Sequence, residues 1–384
     1  MTEQPPPPPT PWSAAADAVQ QRRQKRRRAF GITAAVFLVV VAVIGSLITL
    51  PYRIISPGDA TPVNRVVEIT NAKSYPTRGA VFFLTVSVSQ SQPNLWRWIA
   101  ASLDADAQVV DEREILGDQT PAQERKLGAI EMTQSQDDAK LVAMEWLGYD
   151  VPISGTGAIV LGTFRDTPAA GALERGDVIT AVDGGPIGTV GDLTTAIRSK
   201  PAGTTFSIDY ERDDKPHTVS ITSRSFDRPG GASYPAIGVQ AVTRDEKIDF
   251  PVDVDVTVPD VRGPSAGLAF TLAIIDKMTP GSMTGGKKIA VTGTIQRDGT
   301  VGLIGGAKQK AITARAAGAT LMLVPHGEEK LAREGAGGMK VVGVKTLDDA
   351  LRALRANGGT VNKPATPPAV ESSDDGTSTT TRAA

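Results

Sequence analysis

Ser265 stands in the loop Asp260-Val261-Arg262-Gly263-Pro264-Ser265-Ala266-Gly267, between a strand-like pattern and a helix-like one. Before the loop, Val252, Val254, Val256 and Val258 alternate with Asp253, Asp255 and Thr257, an amphipathic strand. After it, Leu268, Leu272 and Ile275 share one helical face. Ser265 is thereby expected at or beside a helix N-terminus, where free N–H groups and the helix dipole can hold a developing oxyanion. A serine nucleophile also needs a base. Gly305-Gly306-Ala307-Lys308-Gln309-Lys310-Ala311 opens a second helix, closed by Gly318, with Ala307, Lys310, Ala314 and Ala317 on one face. Burial among alanines would disfavour the ammonium form. Bringing a lysine from about 10.4 to about 7–8 takes about 4 kcal/mol and yields an amine able to accept a proton near neutrality. Spacing alone leaves two alternatives open: Lys310 snorkels to solvent, or Lys308 is the base.

Composition narrows the remaining chemistry. The 384 residues contain no cysteine, which removes thiol nucleophiles, cysteine-ligated metals and disulfides. The two histidines, His217 and His326, are too far apart for an H-E-x-x-H zinc site, and neither a metal nor a cofactor is expected. A net charge of -1 speaks against whole-protein affinity for nucleic acid. Gly263 to Gly267 also satisfies the G-x-S-x-G elbow of α/β-hydrolases, whose partners follow as acid and then histidine. His326 lies 61 positions after Ser265, with Asp298 between, too little chain for the elements that separate such residues.

Charge is segregated along the chain. Residues 1–28 hold six cations against two acids, including the run Lys25-Arg26-Arg27-Arg28, and are expected to be a cytoplasmic, disordered Pro-rich and basic segment. Ala29 to Leu50 hold none. Those 22 residues would span roughly 33 Å as a helix against a bilayer core of about 30 Å. The run lacks the small-x-small site of a cleaved signal and reads as a retained single-pass anchor, 29–50. The positive-inside rule puts its N-terminus in the cytoplasm and everything after Pro51 outside. Residues 51–150 read as an α+β membrane-proximal region without evident chemistry. In it Leu84 to Ser89 alternates as a half-buried strand, and Thr120-Pro121 with Gln123 starts a helix that runs to Leu147. Trp96 and Trp98 are assigned to core packing rather than to a membrane interface. Residues 358–384 read as a disordered tail.

Between these lie two segments that resemble known families. In 151–225, Ala158-Ile159-Val160-Leu161, Thr167-Pro168-Ala169-Ala170 and Arg175-Gly176-Asp177-Val178-Ile179 lead through Asp183-Gly184-Gly185 to an amphipathic helix near Leu193 to Ile197. This resembles the PDZ domains found on bacterial proteases, and the resemblance implies a groove that takes an extended peptide by strand addition. It places the carboxylate-gripping loop near Tyr149 to Gly157 and the peptide on Gly155, Gly157 and Ile159, although a G-L-G-F-like string is missing there.

In 235–356, Gly263-Pro264-Ser265-Ala266-Gly267, Thr292-Gly293 after the strand Ile289–Val291, and Gly305-Gly306-x-Lys-x-Lys with Ala314-Arg315-Ala316-Ala317-Gly318 resemble Lon proteases. The resemblance implies a catalytic dyad of Ser265 and Lys310, with Thr292 bonding near the lysine and Gly263 and Ala266 shaping the nucleophile loop. Arg262, Thr294 and Gln309 depart from the family pattern, which usually carries an acid at each. Gly281 to Lys287 fits only the first part of a Walker A loop: Lys288 replaces the Ser/Thr, and a strand-like Ile289-Ala290-Val291 follows, so no nucleotide is expected.

The expected fold class is therefore an N-terminal single transmembrane helix, an α+β region, a PDZ domain and an α/β Lon-type proteolytic domain. The expected function is an ATP-independent, membrane-anchored serine endopeptidase acting outside the membrane on protein or peptide substrates. A PDZ module ahead of the protease would deliver unfolded or C-terminal segments across a linker near Phe226 to Ser233. Self-association is allowed for, since Lon domains often form rings. The alternative from another class is a catalytically silent PDZ scaffold at the outer membrane face.

Overall fold

The computed structural model describes residues 11–117, 119–227, 233–258 and 260–370. They form two compact units. Among the described residues, one takes those up to Glu68, those of Tyr75–Ala139 and those of Val256–Val361; the other takes Ile69–Ser74, those of Lys140–Asp255 and those from Asn362 to Val370.

The first unit begins with helix α1 (Pro11–Leu47). The expectation of disorder over 1–28 is thus corrected from Pro11 onward. Proline suits a first helical position, and Ala14-Ala15-Ala16 and the Gln/Arg/Lys run after it are good helix formers. Residues 1–10 lie outside the described residues. Within α1, Phe30–Leu47 is long and apolar enough to cross a membrane, and its side chains are almost all unburied. Next come β1 (Tyr52–Pro62), β2 (Ala80–Val88), α2 (Leu95–Leu103), β3 (Gln108–Asp111) and α3 (Pro121–Leu147), which belongs to this unit as far as Ala139. At the start of α3, Thr120 and Gln123 bond each other reciprocally, the capping box the sequence announces.

The second unit holds β4 (Ala158–Thr163), β5 (Val178–Val182), α4 (Val190–Arg198), β6 (Thr205–Arg212), β7 (Lys215–Thr222) and β8 (Val239–Thr243). Its antiparallel sheet has the order β7-β6-β5-β4-β8. Ala158, Val160, Ile179, Phe206, Ile208 and Ile221 fill its core, joined by Leu193 and Ile197 from α4. Two expectations are corrected here. The small domain does not end at 225, because β8 pairs with β4 and the chain stays in this unit to Asp255. The tail is not wholly disordered either: the Tyr149 hydroxyl donates to Pro368 O at 2.5 Å, and Ala72 forms a bridge with Val370. Residues 371–384 lie outside the described residues.

The chain then returns to the first unit with α5 (Gly267–Met278), β9 (Lys288–Val291), α6 (Ala307–Ala316), β10 (Leu321–Pro325), α7 (Glu329–Ala336), β11 (Lys340–Val344) and α8 (Leu347–Ala356). One six-stranded sheet unites both halves of the unit, in the order β11-β10-β9-β2-β1-β3. Strands β9, β10 and β11 are parallel, β9 also runs parallel to β2, and β1 pairs antiparallel with β2 and β3. Residues 51–150 are therefore not a separate region. Val81, Phe82, Phe83 and Leu84 are buried as a continuous run, the mark of a strand covered on both faces rather than half-buried. Phe82 and Leu84 pack with Ala307, Ala311 and Ala314 of α6, while Phe83 meets Phe270 of α5 at 5.6 Å. Helices thus cover both faces of this sheet, and the Lys140–Asp255 insert interrupts the unit in sequence without contributing a strand to its sheet.

Helix α5 is buried all round apart from Lys277, so its apolar stripe is wider than the three residues the sequence picks out. It includes Asp276, 7 % exposed, whose carboxylate accepts from the Met283 N–H at 2.9 Å. Burial pushes this carboxyl above its ordinary value. A folded-state pKa above the unfolded one favours the protonated form, so stability falls as pH rises from the unfolded value toward the folded one. Asp276→Asn keeps the acceptor without the charge. It should stabilise the protein at pH 7, with the gain shrinking toward pH 4, as read by thermal unfolding at both pH values.

Candidate active site

Strand β9 ends at Val291, and the chain leaves the sheet at Thr292-Gly293. Beyond that strand end lies the loop before α5. The Gly293 N–H donates to Ser265 O at 2.9 Å and the Leu268 N–H to Gly293 O at 3.1 Å, which ties the loop to the end of β9. Gly263 has φ +82 and donates to Gly128 O, so it both turns the chain and anchors it to α3. At Gly267 a Cβ would come within 2.8 Å of Ser135 Oγ and 2.9 Å of Ile295 Cγ2, so only glycine lets α5 start here. Ala266 is the N-cap residue of α5, and Ser265 stands one residue before it, half-buried. Among the described residues the N–H groups of Ser265 and Ala266 take part in no backbone hydrogen bond.

Gly306, with φ +68, turns the chain into α6 and receives the Lys310 N–H at 2.9 Å. One turn on, the Lys310 side chain is 2 % exposed. Its ammonium nitrogen lies 2.7 Å from Ser265 Oγ and 3.2 Å from Thr292 Oγ1. Thr292 Oγ1 in turn donates to Ser265 O at 3.2 Å. Burial pushes the Lys310 amine down to about 8, with the Glu328 carboxylate pulling weakly the other way. Lys308, the competitor, is half-exposed and has no place in this cluster. The snorkelling alternative for Lys310 fails for the same reason that its pKa falls: the stem ends inside the protein.

Thus Gly263, Ser265, Ala266, Thr292 and Lys310 are brought together. Two contributors carried no signal in the sequence. Ser135 on α3 is 4 % exposed and donates to Pro264 O at 2.9 Å, bracing the loop from 129 positions away. Glu328 precedes α7 and is itself pushed up by burial. Of the three departures, Arg262 is exposed beside Gly128, Thr294 pairs with Gly302, and Gln309 is buried with Oε1 unpartnered among the described residues.

Ser265 and Lys310 open on a cleft of about 1040 Å³ that runs along the Thr85–Val88 end of β2 and Ser89 and Gln90 after it, and past Arg53, Arg262 and Met132. Because β9 pairs only with Ala80 to Phe83, the stretch from Leu84 to Val88 has partners on its β1 side alone. Among the described residues, one edge of β2 is left free where it passes the serine. His326 is elsewhere: exposed, it faces Glu329 at 3.1 Å.

The expected peptide site in the smaller unit is corrected. Ile159 is paired on both sides, with Val178 of β5 and Val242 of β8, so its strand offers no edge for addition. Gly155 and Gly157 are enclosed as well, the latter donating to Gly188 O and accepting from the Arg244 N–H. Among the described residues the edge strands of this sheet are β7 and β8, and it is β8 that lies beside α4, where Thr243 Oγ1 accepts from the Val190 N–H.

Residues 127–222 match the PDZ domain family, and residues 233–355 match the Lon protease (S16) C-terminal proteolytic domain family. The second match starts before β8, a strand that lies in the smaller unit's sheet. A Lon protease of Ureaplasma parvum is 30% identical over 134 residues, 32% of this chain and 17% of that protein. Lon protease 2 of Bacillus subtilis is 27% identical over 128 residues, 33% of this chain and 22% of that protein. The chain therefore matches less than a quarter of the length of either relative. The solved PDZ domain of an SdrC-like protein from Listeria monocytogenes is 33% identical, with 23% of this chain and 88% of that one covered and a TM-score of 0.21. A PDZ domain and a Lon-type proteolytic domain thus share this chain, which resembles the PDZ-containing Lon-like serine proteases.

Proposed function

We propose that the protein is a membrane-anchored serine endopeptidase in which Ser265 is the nucleophile and Lys310 its general base. The observation that carries this reading is the 2.7 Å approach of a buried, pKa-depressed lysine to a half-buried serine hydroxyl. Neutral Lys310 takes the Ser265 proton as Oγ attacks the scissile carbonyl, and the same amine returns it to the leaving nitrogen. Thr292 holds the amine from its other side. The N–H groups of Ser265 and Ala266, at the head of the twelve-residue α5, receive the oxyanion. The substrate lies extended along the free edge of β2, its backbone completing the sheet next to Ser265. Since the cleft is open at the surface and lined by several charged groups, unfolded or terminal segments fit it better than folded domains.

The Gly281 to Lys287 run leads into β9 rather than a helix, and the Lys287 amine donates to Asn357 O at 2.6 Å, so this run does not have the form of a nucleotide-binding loop. Phe30–Leu47 anchors the chain with its N-terminus in the cytoplasm and both units outside. His326→Ala should keep most peptidase activity on a short peptide; loss of nearly all of it would restore the histidine-based hydrolase.

The PDZ unit accepts an extended peptide on the β8 edge beside α4 and offers it to the protease. In the register of β8 against β4, Gln240 lies in a hydrogen-bonded pair with Gly162 and Val239 does not, so the Val239 N–H faces the free edge. Val239→Pro should therefore weaken binding of a fluorescent peptide about tenfold, the worth of one or two backbone hydrogen bonds. Cleavage of a short peptide that needs no docking should be unchanged in the same variant. Equal loss of both would mean that β8 supports the fold and not delivery.

A further inference from the structure

Helix α2 is nine residues long, apolar over most of its circumference, and contains no buried residue. Around its axis Leu95, Ile99, Leu103, Trp96 and Ala100 occupy one continuous arc, with Arg97 at its border next to Ala100 and Ala101 opposite its centre. Leu103 is 82% exposed and Trp96 39%. The assignment of both tryptophans to core packing is therefore corrected for Trp96; Trp98 does pack inward, 6.2 Å from the Tyr52 ring. An apolar surface helix of this kind calls for an occupant.

Its position names one. The N-terminal end of α2 is fixed to the end of α1: the Leu95 N–H donates to Ile48 O at 3.1 Å, and Trp96 Nε1 donates to Ala42 O at 2.9 Å. Gly45 leaves room for that indole, since a Cβ there would fall 2.5 Å from the Trp96 ring. Ala42 precedes the helix end at Leu47 by five residues, about 8 Å of rise. That is the depth at which tryptophan and amphipathic helices sit between lipid headgroups and acyl chains, about 5–10 Å into the boundary.

We propose that α2 lies in the outer-leaflet interface, its apolar arc against lipid, and holds the cleft at the membrane surface. Arg53, which lines the cleft, donates to Ser89 O and to Glu112, and Glu112 accepts from Gln92, three residues before α2. Cleft end and interfacial helix are thereby joined by a short, braced connection. The substrates best placed are polypeptide segments that emerge next to the bilayer. This inference rests on the reading of Phe30–Leu47 as a membrane span.

The absence of cysteine makes the test direct. Leu103→Cys, Phe37→Cys and Leu303→Cys, each in the full chain, are nitroxide-labelled and reconstituted in phosphatidylcholine–phosphatidylglycerol vesicles. Retained cleavage of a short peptide by each variant certifies its fold. Collision with oxygen should exceed collision with a water-soluble nickel chelate several-fold at positions 103 and 37, and the order should invert at 303. A label at 103 that reads as aqueous, or as shielded from both reagents by protein, while 37 reads as lipid, overturns the interfacial helix and leaves the span intact. An aqueous reading at 37 overturns the span itself.

Discussion

Lys310→Arg and Lys310→Ala should each lose about 10²–10⁴ in kcat/KM on a short peptide, the usual worth of a general base. The arginine variant is the informative one. It preserves charge and length, but a guanidinium stays protonated near neutrality and cannot take the Ser265 proton. Lys308→Ala should keep most activity, because its side chain is half-exposed and outside the Ser265–Thr292–Lys310 cluster. A steady-state assay of the three variants, with circular dichroism as a folding control, decides the assignment. Substantial activity in Lys310→Arg would falsify it.

The wild-type rate should climb about tenfold per pH unit until pH reaches about 8, then level off, as the base loses its proton. Between pH 6 and the plateau that amounts to about a hundredfold. The same depressed pKa sets a stability effect of opposite use to the protein. Lys310 moves from 10.5 to about 8, so its ammonium form is disfavoured in the folded state. The penalty, about 3 kcal/mol, is full below pH 8 and disappears as pH rises through the unfolded value. Lys310→Met, similar in shape and uncharged, should therefore be inactive yet more stable than wild type at pH 7, with the difference closing above pH 10. Denaturant unfolding at pH 7 and pH 10 reads this out. A less stable methionine variant at pH 7 would show that the lysine is held by interactions stronger than its burial.

The parts of this site that a reader of the sequence can find are those encoded within a few residues. Gly263, Gly267 and Gly306 mark turns that no other residue fits, and the lysine among alanines on α6 announces burial. The uncharged run through Phe30–Leu47 and the capping pair at Thr120 and Gln123 are equally local. What escaped depends on pairings between distant residues. Lys288 to Val291 lie beside Ala80 to Phe83, more than 200 positions apart with a second unit between them, and nothing in either strand names its partner. For that reason residues 51–150 read as a region of their own, and the PDZ unit read as a module placed before the protease rather than inside it. The peptide edge was misplaced on Ile159 because β8, which takes up that strand's open side, comes some eighty residues later. Ser135 braces the nucleophile loop from another helix, and a lone serine on a helix carries no signal.

The most direct test of the account is covalent trapping of the nucleophile. The full-length protein in vesicles is treated with a peptidyl fluorophosphonate, and the adduct is located by peptide mass spectrometry. The account predicts one adduct, on Ser265, forming at a rate that rises with pH up to about 8 and that collapses in Lys310→Arg. An adduct on another residue, or labelling of Ser265 that is indifferent both to pH and to Lys310→Arg, would contradict it.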